Sequence, residues 1–503
     1  MRPRTARGRL GGPLALATAL VVLTSACSVG PDYVRPSMIS PDAYKELDGW
    51  KIARPQDALA RGAWWEIFGD PQLNALEARV SISNQNLAVA EAQYRQARAL
   101  VREARAGYFP TVTIGAGFTR LRQSTTITSG GTSGTSGSAI SGSGGSAGAA
   151  RSDFQVGLDF SWELDVWGRI RRTVESNRAS AQASAGDLEA ARLSFQAALA
   201  QDYFQLRTLD AQKQLLDETV SAFEKFLRLT QDRFANGVAS QADVVQAQTQ
   251  LKTTQAQAID VGVQRAQLEH AIAILMGQAP STFTLPAAPL AATPPAIPVG
   301  VPSELLERRP DIAAAERRMA AANAQIGVAV AAFYPTITLN ASSGLESSSL
   351  AKWFTAASRF WSVGPGISQT VFDGGLRHAQ TDAARAGHDA TIATYRQTVL
   401  AAFQGVEDNL AALGILEEEN GVQDEAVKAA QDSVRLTTQQ YKAGTVSYLN
   451  VITVQTIALT DEVTAIQIRG RRMAAAVLLV QALGGGWTAA ELPSSRDVTK
   501  RNP

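Results

Sequence analysis

The sequence predicts a mainly α-helical chain that lends four strands to a membrane β-barrel shared between copies. Three observations carry this. Short segments alternate strictly between apolar and polar residues, very long segments without proline keep a heptad pattern, and the chain is written twice.

The alternation is clearest in DFQVGLDFSWELDVWGR, residues 153–169. Phe154, Val156, Leu158, Phe160, Trp162 and Leu164 are interleaved with Gln155, Gly157, Asp159, Ser161 and Glu163. Successive strand side chains point to opposite faces, so one face is apolar and the other carries acids. A soluble sandwich could bury the first face, whereas a membrane barrel would turn it to lipid and its polar face to a wet lumen. A second strand runs from Thr111 to Leu121, with Val112, Ile114, Ala116 and Phe118 on one face. Later come Ile337, Leu339 and Ala341, then Trp361, Val363, Ile367 and Val371. Pro365 interrupts the last of these and lacks a ladder donor, so a bulge or bend is expected there. Strands of about 10 to 13 residues suit a tilted membrane crossing. Trp162, Trp167 and Trp361 are candidates for an interfacial aromatic girdle.

The repetition is direct. Tyr108-Phe109-Pro110-Thr111-Val112-Thr113 returns as Phe333-Tyr334-Pro335-Thr336-Ile337-Thr338. RFANGVASQADVVQAQ, from Arg233, returns as QYKAGTVSYLNVITVQ, from Gln440. The offset falls from 225 to 207, so the first copy carries extra residues between its strands. They coincide with a Gly/Ser tract near residues 129–148, too polar to pack and assigned to a hairpin tip in solvent.

No proline occurs between Pro110 and Pro280, or between Pro365 and Pro493. From Gly168 to Ala235 the pattern is helical, long enough for roughly 100 Å. Leu206, Leu209, Lys213, Leu216, Val220, Phe223, Leu227, Thr230 and Phe234 form a heptad seam, repeated more weakly from Leu413 and Leu416 to Tyr441. Gly237 and Gly444 can close the long helices in the left-handed conformation. Ser240 with Asp243, and Ser447 with Asn450, are expected to cap the returning helices, Gln241–Met276 and Tyr448–Leu483. Shorter helices, Leu73–Gly107 and Ser303–Phe333, precede the first strand of each copy. The resulting division is 1–26, a leader; 27–72, an N-terminal segment; 73–280, the first repeat with a hairpin at 111–165; 281–302, a proline-rich linker; 303–486, the second repeat with a hairpin at 336–372; and 487–503, a tail.

Arg2, Arg4, Arg7 and Arg9 precede an apolar run from Leu14 to Leu23 and then Thr24-Ser25-Ala26-Cys27, the pattern of a secretory signal. Cys27, the sole cysteine, resembles the acylated cysteine of a bacterial lipobox, although Thr24 stands where leucine is usual. Without the leader, 43 basic residues face 46 acids, a net charge of −3, and no basic cluster suggests nucleic acid. His270, His378 and His388 have no cysteine beside them, so no metal site is expected, and no P-loop or nucleophile elbow appears. Glu163 and Asp165 share a strand face without further catalytic company, so no catalytic residue is assigned and no cofactor is implied.

Four strands with an apolar face leave open edges, which lipid does not tolerate. Two, three or four copies would close eight, twelve or sixteen strands, with the helices as a tube beneath. SVGPDYVRP after the cysteine, WWEIFGDPQLNALEARVSISNQNLAVAEAQYRQARA from Trp64, RRPDIAAAERRMAAANAQIGVAVAAFYPTITLNASSG from Arg308 and the terminal QALGGGW resemble the outer-membrane factor lipoproteins of tripartite efflux systems, TolC-like and OprM-like channels. The resemblance implies a homotrimer with a 12-stranded barrel in the outer membrane and a 12-helix periplasmic tunnel. It also implies a periplasmic adaptor, an inner-membrane pump of the resistance-nodulation-division type, and drugs or other small molecules as cargo. The constriction falls to Leu449, Asn450 and Thr453; the family often carries aspartates at the positions matching Asn450 or Thr453 and this chain has neither, so weak cation selectivity is expected. The tips around Gly237, Ser240, Asp243, Gly444 and Ser447 would dock the adaptor. A conduit for secreted protein and a non-transporting periplasmic tether are the alternatives.

Overall fold

The computed structural model describes residues 28–36, 41, 43–46, 63–122, 150–290, 293–297 and 302–500; the leader, Cys27 and the Gly/Ser tract lie outside them. Four strands, β1 (Thr111–Leu121), β2 (Arg151–Glu163), β3 (Thr336–Ser347) and β4 (Arg359–Ser368), form one antiparallel sheet in that order. Among the described residues eight α-helices accompany them: α1 (Pro71–Ser83), α2 (Gln85–Ala106), α3 (Arg169–Ala235), α4 (Gln241–Leu275), α5 (Leu305–Arg308), α6 (Pro310–Ala331), α7 (Leu376–Lys442) and α8 (Tyr448–Ala482). The chain divides into two compact units, Met1–Tyr33 with Leu100–Asn177 and Ala321–His388, and Val34–Ala99 with Arg178–Ala320 and Asp389–Pro503. The units cut across the repeats, since each repeat contributes to both.

In the first unit the register sorts residues by face. Val112 pairs with Phe160, Ile114 with Leu158 and Phe118 with Phe154; Val156 pairs with Leu345, and Ala341 with Val363. Directly paired residues share a face, so these make one continuous apolar surface. Thr113 pairs with Asp159, Ser161 with Asn340 and Ser342 with Ser362 on the other face. There Ser161 donates to Asn340 at 2.9 Å, and the Ser342 and Ser362 hydroxyls lie 2.7 Å apart. Pro365 causes no bulge: Asn340 to Thr338 pair one-to-one with Gly364 to Gly366. An edge strand has one row of N–H groups without a partner in the chain, and there a missing donor is tolerated. β4 stops at Ser368, leaving Val371 beyond the ladder. Glu163 grips Arg169 through both oxygens, at 2.9 and 2.6 Å, and Asp165 accepts from the Ile170 and Arg171 amides at 2.8 and 2.9 Å. Both acids thus serve the strand-to-helix turn.

The long helices α3 and α7 are 67 residues each, about 100 Å, and α4 and α8 are 35 each. An 18-residue window of α7 has a mean hydropathy of 1.3, in the range of a membrane span by composition, but the helix is about three times the length a bilayer needs. In α3 the seam residues Leu206, Leu209, Leu216, Phe223 and Thr230 are buried, while Phe234 is 46% exposed near the helix end.

In the second unit the helices that precede the first strand of each repeat contain breaks, within the spans Leu73–Gly107 and Ser303–Phe333 that the sequence predicts as single helices. Asn84 (ψ 120°) separates α1 from α2, its amide donating to the Leu275 carbonyl at 2.8 Å and its oxygen accepting from the Leu87 N–H at 3.0 Å. Ser83 donates to the Met276 carbonyl at 2.7 Å. In the second repeat Pro310 pushes Arg309 into extended backbone (ψ 123°), and Arg309 donates to the Ala482 carbonyl at 2.7 Å. Each break therefore satisfies the open carbonyls at the end of a returning helix, α4 or α8. Asp70 caps α1, accepting from Gln72 and Leu73 amides, and also accepts from the Tyr203 hydroxyl at 2.6 Å. Asp210, nearly fully buried on α3, takes Arg207 at 2.8 Å, Arg265 at 2.7 Å and the Ala288 amide at 3.1 Å, fastening the linker to α3 and α4.

Candidate membrane face and aperture

The apolar face is far too exposed for water: Ile114 and Trp361 are each 77% accessible and Val363 is 64%. Aromatic residues gather at both ends of it. Next to the helices, Trp162 donates to the Tyr108 carbonyl at 3.0 Å and Trp167 to that of Pro335 at 2.8 Å, the latter stacked on Tyr334 at 4.8 Å. At the other end Phe118 meets Phe154 at 4.7 Å, Phe154 meets Trp353 at 5.9 Å, and Trp361 stands three residues into β4. Trp162 and Phe154 are eight positions apart on one strand, a rise of about 27 Å, which with tilt matches an outer-membrane apolar band. The sequence reading joined Trp162 and Trp167 with Trp361; the fold separates them to opposite ends and adds Phe118, Phe154, Trp353 and Tyr334. Pairing of Phe118 with Phe154 was the signal, and it needed the register.

The two turns between long and returning helices sit together in the second unit. Gly237 (φ 73°) and Gly444 (φ 79°) take the left-handed conformation that closes α3 and α7. Val238 then donates to the Arg233 carbonyl at 2.8 Å, and Thr445 to that of Gln440 at 3.0 Å. In the first turn Ser240 and Asp243 form a reciprocal capping box, at 3.2 and 2.9 Å. The second turn differs: Ser447 makes no side-chain cap, and the Asn450 amide N–H bonds only the Ser447 carbonyl, at 3.2 Å. A neutral amide gains less than a carboxylate from a helix N-terminus, so the reciprocal bond forms only where the partner is Asp243. Between the turns, Ala247, Tyr441, Tyr448 and Val451 form a buried cluster with Phe226 and Leu227 against it. Tyr441 and Tyr448 lie 5.5 Å apart. Burial pushes the Tyr448 hydroxyl up to about 12, with Tyr441 and Asp243 adding to it.

Burying Tyr448 and Val451 turns the other face of α8 outward, and Leu449 (54% exposed), Asn450 and Thr453 all lie on it. Thr453 donates its hydroxyl to the Leu449 carbonyl at 2.9 Å, and Thr456, Thr460 and Thr464 repeat the bond to the carbonyl four residues back. Each hydroxyl proton is thereby committed to the backbone, and the Thr456 oxygen also accepts from Gln250 Nε2 at 3.3 Å. The first acid on α8 is Asp461. Among the described residues no cluster of His, Cys, Asp or Glu could hold a metal ion.

A two-faced sheet whose edge strands find no partner among the described residues, in a chain with two helices each about three bilayers long, defines an outer-membrane channel protein. Comparison narrows the class. The chain belongs to the outer membrane efflux protein family, whose pattern matches residues 78–278 and 301–485, one segment for each repeat. It is 33% identical over 478 residues to the solvent efflux pump outer membrane protein SrpC of Pseudomonas putida, covering 94% of this chain and 98% of that one. Outer membrane protein OprJ of Pseudomonas aeruginosa is 30% identical over 93% of this chain and 95% of its own. The solved outer-membrane channel OprN superposes with a TM-score of 0.83 at 31% identity, over 92% of this chain and all of that one. The protein is an outer-membrane efflux channel, with strands in the outer membrane and helices extending into the periplasm.

Proposed function

We propose that three copies close a 12-stranded barrel, β4 of one against β1 of the next, above a 12-helix tunnel. The trimer carries drugs, solvents or similar small organic molecules from an inner-membrane pump of the resistance-nodulation-division type and a periplasmic adaptor. The observation that carries this is the sheet itself, whose apolar face and two unpaired edges cannot both enter lipid unless other copies pair them. Relatives named for solvent, toluene and antibiotic efflux support the cargo class. Adaptor hairpins dock at the turns around Gly237, Ser240, Asp243, Gly444 and Ser447, and opening widens an aperture lined by Leu449, Asn450 and Thr453. Trp162, Trp167 and Trp361 anchor the barrel at the membrane interfaces, and Cys27 carries a diacylglyceryl thioether. The channel works by passage, not catalysis.

The test is expression in a strain lacking its own outer-membrane channels, together with an adaptor and a pump of the resistance-nodulation-division type. Regained resistance to small organic toxicants and a heat-dissociable trimer extracted only by detergent are expected. A monodisperse monomer recovered without detergent would instead indicate a soluble tether.

A further inference from the structure

The residues that follow Cys27 are held by five separate contacts in the first unit. Val29 donates its N–H to the Trp167 carbonyl at 3.2 Å. Arg172, whose side chain is only 5% exposed, reaches the Val29 and Gly30 carbonyls at 3.4 Å each and the Asp32 carboxylate at 2.8 Å. Glu175 holds its other terminal nitrogen at 2.9 Å. Asn323, on α6, donates to the Pro31 carbonyl at 3.0 Å. Two glycines make the approach feasible. A Cβ on Gly30 (φ +96°) would stand 2.5 Å from the Gly327 Cα, and one on Gly327 would stand 2.8 Å from the Arg172 stem. Ser28 itself rests on Gly168, in the turn where β2 gives way to α3.

We propose that Arg172 is a positioning residue for membrane attachment, locking Ser28–Asp32 to the β2–α3 turn so that an acyl anchor on residue 27 enters the bilayer level with Trp162 and Trp167. The inference rests on the acylation of Cys27 proposed above. Ser28, the residue next to the proposed acylation site, rests on Gly168, so the clamp holds the described chain up to that point. Unclamped, the nine residues 28–36 could reach about 30 Å, the thickness of the hydrocarbon core. A buried guanidinium satisfied by two carboxylates and two carbonyls suits this holding role, because a planar fork loses little freedom per bond formed. The clamp thereby couples insertion of the lipid to insertion of the sheet, raising the effective concentration of each at the membrane for the other.

The experiment is a double-mutant cycle in the full-length chain, with Arg172→Ala, the gentler Asp32→Ala (Asp32 is 90% exposed) and Cys27→Ala. Three things are measured: the mass of the N-terminal peptide, hydrogen exchange at the Val29 amide, and the pulse-chase rate of heat-stable trimer formation. The expected result is an acylated N-terminal peptide, Val29 exchange released by either clamp variant, and trimer formation slowed at least threefold in acylated protein but not slowed further in the Cys27→Ala background. Equal slowing with and without the anchor would assign Arg172 a merely structural role and overturn the proposal. Unchanged assembly with Val29 exchanging freely would overturn it too. An N-terminal peptide without acyl mass would sink the acylation reading itself, a failure the mass alone identifies.

Discussion

Arg233 of the first repeat lies over the ring of Tyr441 of the second, its guanidinium carbon 4.7 Å from the ring centroid. Tyr441 in turn packs on Tyr448 at the start of the helix that presents Leu449, Asn450 and Thr453. The two turns are thus packed against each other by an aromatic core with a cation on its rim. Replacing a buried aromatic with alanine costs about 3 kcal/mol, and a cation–π contact adds about 1 kcal/mol. Tyr441→Ala should therefore loosen the pair of turns, giving a higher single-channel conductance in planar bilayers, with Arg233→Ala a weaker version. Conductance at the wild-type level in both, with normal trimer yield, would show that the contact does not hold the aperture.

The proposed aperture positions Leu449, Asn450 and Thr453 carry no acid, and the hydroxyls of Thr453 and Thr456 are already spent on backbone carbonyls. Weak cation selectivity and little block by divalent cations added from the periplasmic side are expected. Thr453→Asp or Asn450→Asp, adding up to three charges to a proposed trimer constriction, should raise the potassium-to-chloride permeability ratio severalfold and introduce divalent block. Strong divalent block of the unaltered channel would refute the neutral-aperture reading.

Gly237 and Gly444 have open space around them, so their restriction is conformational and not steric. Proline fixes φ near −65° and cannot adopt +73° or +79°. Gly237→Pro or Gly444→Pro should abolish efflux while trimers still reach the membrane, because the strands and the other ends of the helices are untouched. Retained drug resistance at normal protein levels is the contrary outcome.

The ends of the long helices and the faces of all four strands were legible because each follows from one-dimensional periodicity. α3 begins and α7 ends within a residue or two of the glycines that mark them. What was not legible depended on partners far along the chain. Asn84 breaks a helix only because the Leu275 carbonyl needs a donor, and helix propensity alone does not exclude asparagine there. Pro310 is a visible stop inside the span Ser303–Phe333 that the sequence predicts as one helix. Pro365 passes without a bulge because β4 is an edge, a property of sheet order. The Gly30–Gly327 contact that permits the Arg172 clamp joins positions nearly three hundred residues apart, and no local pattern announces it. Tyr441 was read as a seam residue, which it is, but its engagement with Arg233 needed both turns in place.

Glu77 on α1 is completely buried, and neither carboxyl oxygen has a hydrogen-bond partner among the described residues. Burial pushes its pKa from 4.5 up to about 9, so it is held as the neutral acid at physiological pH. A folded pKa above the unfolded one means the folded state binds the proton more tightly. The stability this confers is complete below about pH 4.5 and is lost progressively as pH rises toward 9. Glu77→Gln keeps the shape and removes the ionisation. The two proteins should therefore melt alike near pH 4.5, and the variant should become the more stable as pH climbs, by a few kcal/mol at pH 8.5, since each pH unit in the window contributes at most about 1.4 kcal/mol. Thermal unfolding followed by helical circular dichroism in detergent, from pH 4.5 to 8.5, checks this. Parallel melting curves for the two proteins across that range would show that Glu77 ionises freely in the folded chain, and that the α1 core admits water.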